Sequence, residues 1–196
     1  KLPVMDALRR ATGLLSLSLN SANTEAAALA SVGAMPTIVA AYWRLLHDES
    51  PIPPDASLSH AANYLYMLTS EDPSNEPIRA LNTYLNTVVD HGFNASTFTA
   101  RTIASTGSDM IASVVGAIGA LKGPLHGGAP GPALDMVFEI GTPDKAEPYL
   151  REKLAAGERL MGFGHRVYKV RDPRADVLNT AAERFFADGD QRDLYE

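Results

Sequence analysis

Apolar residues recur three and four positions apart through nearly the whole chain, and no stretch alternates convincingly with the period of two that a strand requires. That pattern predicts an all-α fold. Val4, Leu8, Ala11, Leu15 and Leu19 share one face of a helix over residues 3–19. Residues 23–35 are rich in alanine, and Pro36 stands where a second helix would begin and run past Trp43 to His47. A proline loop over 49–54 ends that pattern. Ser57 is the expected N-cap of a helix through Leu65 and Leu68, and Asn75 the cap of one over 78–89. Helical spacing resumes over 95–105 and 109–121. The second of these carries Gly116 and Gly119, which cost helix stability and so imply that another helix packs very close to that face. Beyond a Gly/Pro-dense break at 123–130, helices are expected over 132–140, from Thr142-Pro143 to Gly157, and from Asp172-Pro173 to Phe186. A non-helical turn over 162–171 precedes the last. The break is the expected domain boundary.

The function classes open to such a chain are narrowed by what it lacks. With no cysteine among 196 residues there are no disulfides, zinc ribbons, iron–sulfur clusters or thiol nucleophiles, which fits a cytoplasmic protein. A formal charge of −6 argues against a general nucleic-acid binder. No run is expected to approach the roughly 20 apolar residues of a membrane span, and no basic-plus-apolar leader opens the chain. The first residues are Lys1-Leu2-Pro3, without an initiator Met, and the last follow a helical pattern, so the chain reads as a piece of a longer protein.

Basic residues nevertheless concentrate locally. Arg166, Lys169, Arg171 and Arg174 face the single acid Asp172 between positions 165 and 174, an island that suits a small anionic ligand as well as a solvated turn. Three of the five histidines, His91, His126 and His165, sit in glycine-flanked breaks between helices, where ligand or backbone approaches closely. Each taken alone reads equally as a loop histidine bonded to a neighbouring carbonyl. Their separations of 35 and 39 residues lack the local spacing of a metal site. His47 at a helix end and His60 among apolar positions read as structural, Trp43 and the Tyr64/Tyr66 pair as packing. Ser96 and Ser105 have no evident base partner, and there is neither a phosphate loop nor a nucleophile elbow.

The stretch Gly162-Phe163-Gly164-His165-Arg166-Val167-Tyr168-Lys169-Val170-Arg171-Asp172-Pro173-Arg174 resembles the signature segment of the citrate synthase family. Two further stretches agree: Leu121-Lys122-Gly123-Pro124-Leu125-His126-Gly127-Gly128-Ala129 resembles the loop whose histidine lies over the thioester, and residues 90–101 resemble the oxaloacetate-binding segment. The resemblance implies a multi-helical homodimer with a large and a small domain, residues 1–125 belonging to the large one and 126–196 to the small one, whose C-terminal portion is absent. It implies condensation of acetyl-CoA with oxaloacetate through an enol, followed by hydrolysis of the citryl thioester. His126 would donate to the enolate oxygen, a role helped if a helix N-terminus near Pro130 and Pro132 disfavours the imidazolium. His165 would donate to the ketone, while Arg174 and His91 would bind oxaloacetate. Lys169, Arg166, Gly162, Phe163 and Gly164 would meet CoA. No metal or separate cofactor is implied, because acetyl-CoA is a substrate.

The family's catalytic aspartate lies downstream of the signature ahead of an aromatic residue, and nothing after Arg174 matches it. Asp188, Asp190 and Asp193 lack that context and are not assigned as the base. Two alternatives stay open: 2-methylcitrate synthase acting on propionyl-CoA, since one methylene changes discrimination by only about 1–3 kcal/mol, and a non-catalytic CoA- or dicarboxylate-binding helical protein.

Overall fold

The computed structural model describes residues 1–18, 23–128, 130–163 and 170–187, and the described residues contain helices and no strand. They fall into two compact units. One comprises Lys1–Ile78 and His91–His126. The other comprises Arg79–Asp90 and the described residues from Gly127 onward.

In the first unit α1 (Val4–Leu14) packs against α2 (Thr24–Leu46) and α6 (Met110–Leu121), α2 also meets α3 (His60–Thr69), and α5 (Ala95–Ala104) pairs with α6. Small residues make these approaches possible. Ala7, Ala27, Ala40, Ala61 and Ala62 are buried with Met67, Ile111 and Ile118. Fully buried Thr12 satisfies its hydroxyl on Leu8 O at 2.8 Å, so the polar atom carries no desolvation penalty.

Helix boundaries depart from expectation where side chains compete with the pattern. α1 gives way to a 3₁₀ turn, Leu15–Leu17, after Gly13, whose carbonyl accepts the Ser16 hydroxyl at 2.9 Å. Pro36 does not open a second helix; it lies inside the 23-residue α2. Joined across Pro36, α2 is long and apolar enough to cross a membrane, with a mean hydropathy of 1.4. This corrects the expectation that no run reaches that length. The same length and composition serve a helix that packs on others, as α2 does on α1, α3 and α6. Ser59, two residues beyond the expected Ser57, caps α3 by accepting Ala62 N–H at 3.4 Å. Ser57 instead turns back onto Asp55, whose carboxyl is held below its usual range by Ser57 hydroxyl and backbone bonds. Asn75 is the first residue of α4 (Asn75–Val88) rather than a cap outside it. Gly116 fits the close-packing expectation, because an added Cβ would stand 2.2 Å from Ile103 Cδ1. Gly119 does not: nothing lies within 4 Å of its would-be Cβ.

Arg44 knits the far end of this unit together. Its side chain is 12% exposed and is paired with Glu49 at 3.0 Å. It also donates to Ser50 O at 2.7 Å and to Leu68 O at 3.0 Å, joining α2 to the proline loop and to the end of α3. Arg44→Met is expected to destabilise the protein by about 1–2 kcal/mol, since it removes a sheltered charged donor from three acceptors of which Glu49 and Ser50 are exposed. Chemical denaturation checks this; a loss within error of zero would show the network to be passive.

A second tie spans the sequence. Asp6 in the first turn of α1 accepts Lys122 Nζ at 2.6 Å from the end of α6. That bond, helped by the charges of Lys122, Arg9 and Arg10, holds the Asp6 carboxyl below its ordinary value of 3.8 against the opposing desolvation. A depressed folded value means the contribution is complete above the unfolded value and is lost as pH falls through the folded one. Asp6→Asn should therefore flatten the fall in melting temperature below about pH 4, and an unchanged acid limb would contradict the linkage.

In the second unit α7 (Pro130–Ile140) packs on α8 (Pro143–Ala155), and α9 (Pro173–Phe185) follows. α7 opens two residues earlier than expected, at Pro130. The Tyr149 hydroxyl donates to Glu139 across the α7–α8 pair, a bond that raises the phenol's pKa. Thr142 occupies the N-cap position of α8, as expected, yet its side chain caps nothing, and its Oγ1 is buried without a hydrogen bond among the described residues.

Candidate active site

α5 and the loop after α6 build the described core of the site. Asn94 caps α5: its Oδ1 accepts Thr97 N–H at 3.0 Å and the Ser96 hydroxyl at 2.7 Å. Ser96 thereby stands in the first turn with its backbone N–H among the helix's unsatisfied donors. That N–H points at His126 Nε2, 3.2 Å away, and Ser96 Oγ lies 3.0 Å from the same nitrogen. A backbone N–H can only donate, so Nε2 carries a lone pair. A neutral ring that accepts this N–H carries its own proton on Nδ1. His126 is part-buried, and its own backbone N–H closes a turn onto Gly123 O at 2.9 Å.

Ser96, which the sequence leaves without an evident base partner, thus meets an imidazole nitrogen. Thirty residues separate it from His126, and only the pairing of α5 with α6 brings the two together. The one signal in the sequence was Asn94 two residues before Ser96, a cap that fixes which backbone donors are exposed.

His91 is exposed and lies three residues ahead of the Asn94 cap, beside Gly92 at φ +64°. Phe93, next along, stacks edge-on to Phe98 with centroids 5.8 Å apart and lies under the Arg101 guanidinium at 5.2 Å. His47 caps the end of α2 with Nδ1 2.8 Å from Trp43 O, in keeping with a structural role. His60 opens α3 as an exposed residue, and Trp43 is 52% exposed against the His47 ring. Burial raises the pKa of the half-buried Tyr64 phenol, consistent with packing.

In the second unit Asp172 caps α9 by accepting Arg174 N–H at 3.0 Å, and the same carboxylate grips the Arg174 side chain. Nε donates to Oδ1 at 3.0 Å and Nη2 to Oδ2 at 2.6 Å, a two-pronged pair that fixes the guanidinium plane. Arg171 is paired with Asp176 at 2.5 Å. Both described arginines of the basic island therefore have acidic partners, which the count of neighbouring residues overlooked. Gly162 adopts φ +83° with its would-be Cβ 3.3 Å from Ala133 Cβ, so a side chain there meets both backbone strain and α7. Phe163 beside it is 60% exposed. His165, Arg166, Lys169 and Gly164 lie outside the described residues, as do Asp188, Asp190 and Asp193. Among the described residues no group of three His, Asp or Glu side chains is arranged to hold a metal.

The described helices thus present His126 on an interhelical loop with Nε2 engaged by a backbone N–H, which leaves the other ring nitrogen to meet a ligand. The family described as "Citrate synthase, C-terminal domain" matches residues 1–196, and the chain belongs to the citrate synthase family. It is 48% identical over 185 residues to a citrate synthase of Deinococcus radiodurans, covering 91% of this chain and 49% of that protein. It is 44% identical over 165 residues to a 2-methylcitrate synthase of Mycobacterium tuberculosis, covering 84% and 42%. Among solved structures it resembles citrate synthase of Thermoplasma acidophilum in ternary complex with carboxymethyl coenzyme A and oxaloacetate, with TM-score 0.81 and 31% identity over 100% of this chain and 57% of that one. The chain spans about half the length of the curated relatives it matches.

Proposed function

We propose that this chain supplies part of the active site of a citrate synthase, an acyltransferase that condenses acetyl-CoA with oxaloacetate to give citrate and CoA. The observation that carries the proposal is the Ser96 N–H directed at His126 Nε2, which leaves Nδ1–H as the donor. Removing a proton from the acetyl methyl needs a base and a partner that stabilises the enolate oxygen. His126 Nδ1–H is the partner. The enol carbon then attacks the ketone of oxaloacetate, whose oxygen gains alkoxide character under a hydrogen bond from His165. Arg174 and His91 hold oxaloacetate; Lys169, Arg166 and the 162–164 backbone with Phe163 meet CoA. Water finally cleaves the citryl thioester, releasing CoA and driving the reaction forward.

In this reading residues 1–125 belong to the large domain and 126–196 to the small one, the active form is a cytoplasmic homodimer, and no metal or separate cofactor takes part. Propionyl-CoA as the acyl donor is the second reading, consistent with the 44% identity to a 2-methylcitrate synthase. The test is oxaloacetate-dependent thiol release, measured with both thioesters on protein that contains this chain at the length of its relatives. No release with either donor would leave a binding protein as the better reading. The 196-residue chain alone is expected to give none, because none of its assigned groups serves as the base. Turnover by it at about 1–10³ per second would place the base among its own residues and reopen Asp188, Asp190 and Asp193.

A further inference from the structure

His126 is held at its tip by Ser96, but what holds the stem of its loop is a different element. Lys122 is the C-cap of α6, and from it the chain makes two successive turns, Gly123 N–H to Ala120 O at 3.1 Å and His126 N–H to Gly123 O at 2.9 Å. Four residues thus connect the Lys122 backbone to the imidazole with little slack. The Lys122 ammonium reaches Asp6, 116 residues away, at 2.6 Å. The Asp6 side chain is 16% exposed, against 74% and 68% for the acids of the local pairs Arg151–Glu147 and Arg171–Asp176. Each charge also lies at the helix end that favours it, the acid in the first turn of α1 and the base at the end of α6.

We propose that Asp6 and Lys122 are positioning residues, an ion pair by which α1 holds the stem of the His126 loop so that Nε2 meets the Ser96 N–H. The pair touches no reacting atom and acts through the imidazole. The proposal deepens the reading of His126 as the enolate donor and rests on it. Without the tether, the turns over 123–126 swing about the end of α6, the Ser96 bond weakens, and the ring proton divides between the two nitrogens.

The test uses protein that contains this chain at the length of its relatives, with ¹⁵N-labelled histidine. The unaltered chain should place the His126 proton on Nδ1. Asp6→Asn and Lys122→Met should each shift both ring nitrogen resonances toward the averaged positions of exchanging tautomers, with helix content retained. Lys122→Arg and the exchanged pair Asp6→Lys/Lys122→Asp should return them. In turnover-competent protein containing the chain, the single variants should lower kcat about 10-fold or more with the thioester KM unchanged. Unchanged ring resonances in both single variants would overturn the proposal. So would an exchanged pair that recovers the melting temperature but not the ring signals, the mark of a purely structural bridge. Absence of condensation by the unaltered protein would refute the enzymatic reading alone, leaving the ring signals to decide the tether.

Discussion

His126→Ala is expected to lower kcat about 10²–10³-fold in protein that carries out the condensation, the usual consequence of deleting one oxyanion donor. The geometry adds a discriminating detail. Because Ser96 N–H engages Nε2, the useful proton is on Nδ1. His126→Asn offers an amide N–H from a position near that of Nδ1, so it should recover part of the loss, whereas His126→Gln should not. The fold should persist in all three, since the ring is only part-buried and its main fixed partner is one turn of α5. Undiminished turnover in the folded alanine variant would return His126 to the class of loop histidines bonded for structure.

Arg174→Leu is expected to raise the oxaloacetate KM about 10- to 100-fold, the loss of a charge-assisted contact with a carboxylate of roughly 1.5–3 kcal/mol. The α9 cap should survive, because Asp172 accepts the backbone N–H of residue 174, which leucine retains. Melting temperature separates the two roles: an unaltered midpoint with a raised KM assigns Arg174 to the substrate, and an unaltered KM removes it from the site. Arg174→Lys keeps the charge but not the fork that Asp172 now holds flat, so it should fall between the two.

Much of this was legible from the residues alone, and the reason is local. Helical spacing and the Thr142-Pro143 and Asp172-Pro173 starts depend on neighbours within four positions, which is the range over which a helix makes its bonds. The placement of His91 and His126 in interhelical breaks was legible for the same reason, since glycine and proline stop helices wherever they fall. Errors arose where a local rule met a tertiary one. Pro36 reads as a helix start, yet the packing of α2 on α1, α3 and α6 carries the helix through it. Gly116 and Gly119 are equivalent in sequence, but only the first faces Ile103.

The chain's order of residues thus determined an all-helical protein, its membership of a family through the motifs around His91, His126 and His165, and the residue types available for chemistry. Tertiary structure alone decided which nitrogen of His126 meets a backbone donor, because that donor lies 30 residues away and is brought in by the pairing of α5 with α6. It also decided that Asp6 answers Lys122 across 116 residues. Both contacts join groups whose separation along the chain carries no periodic signal; their distance is set by how closely small residues let the helices approach.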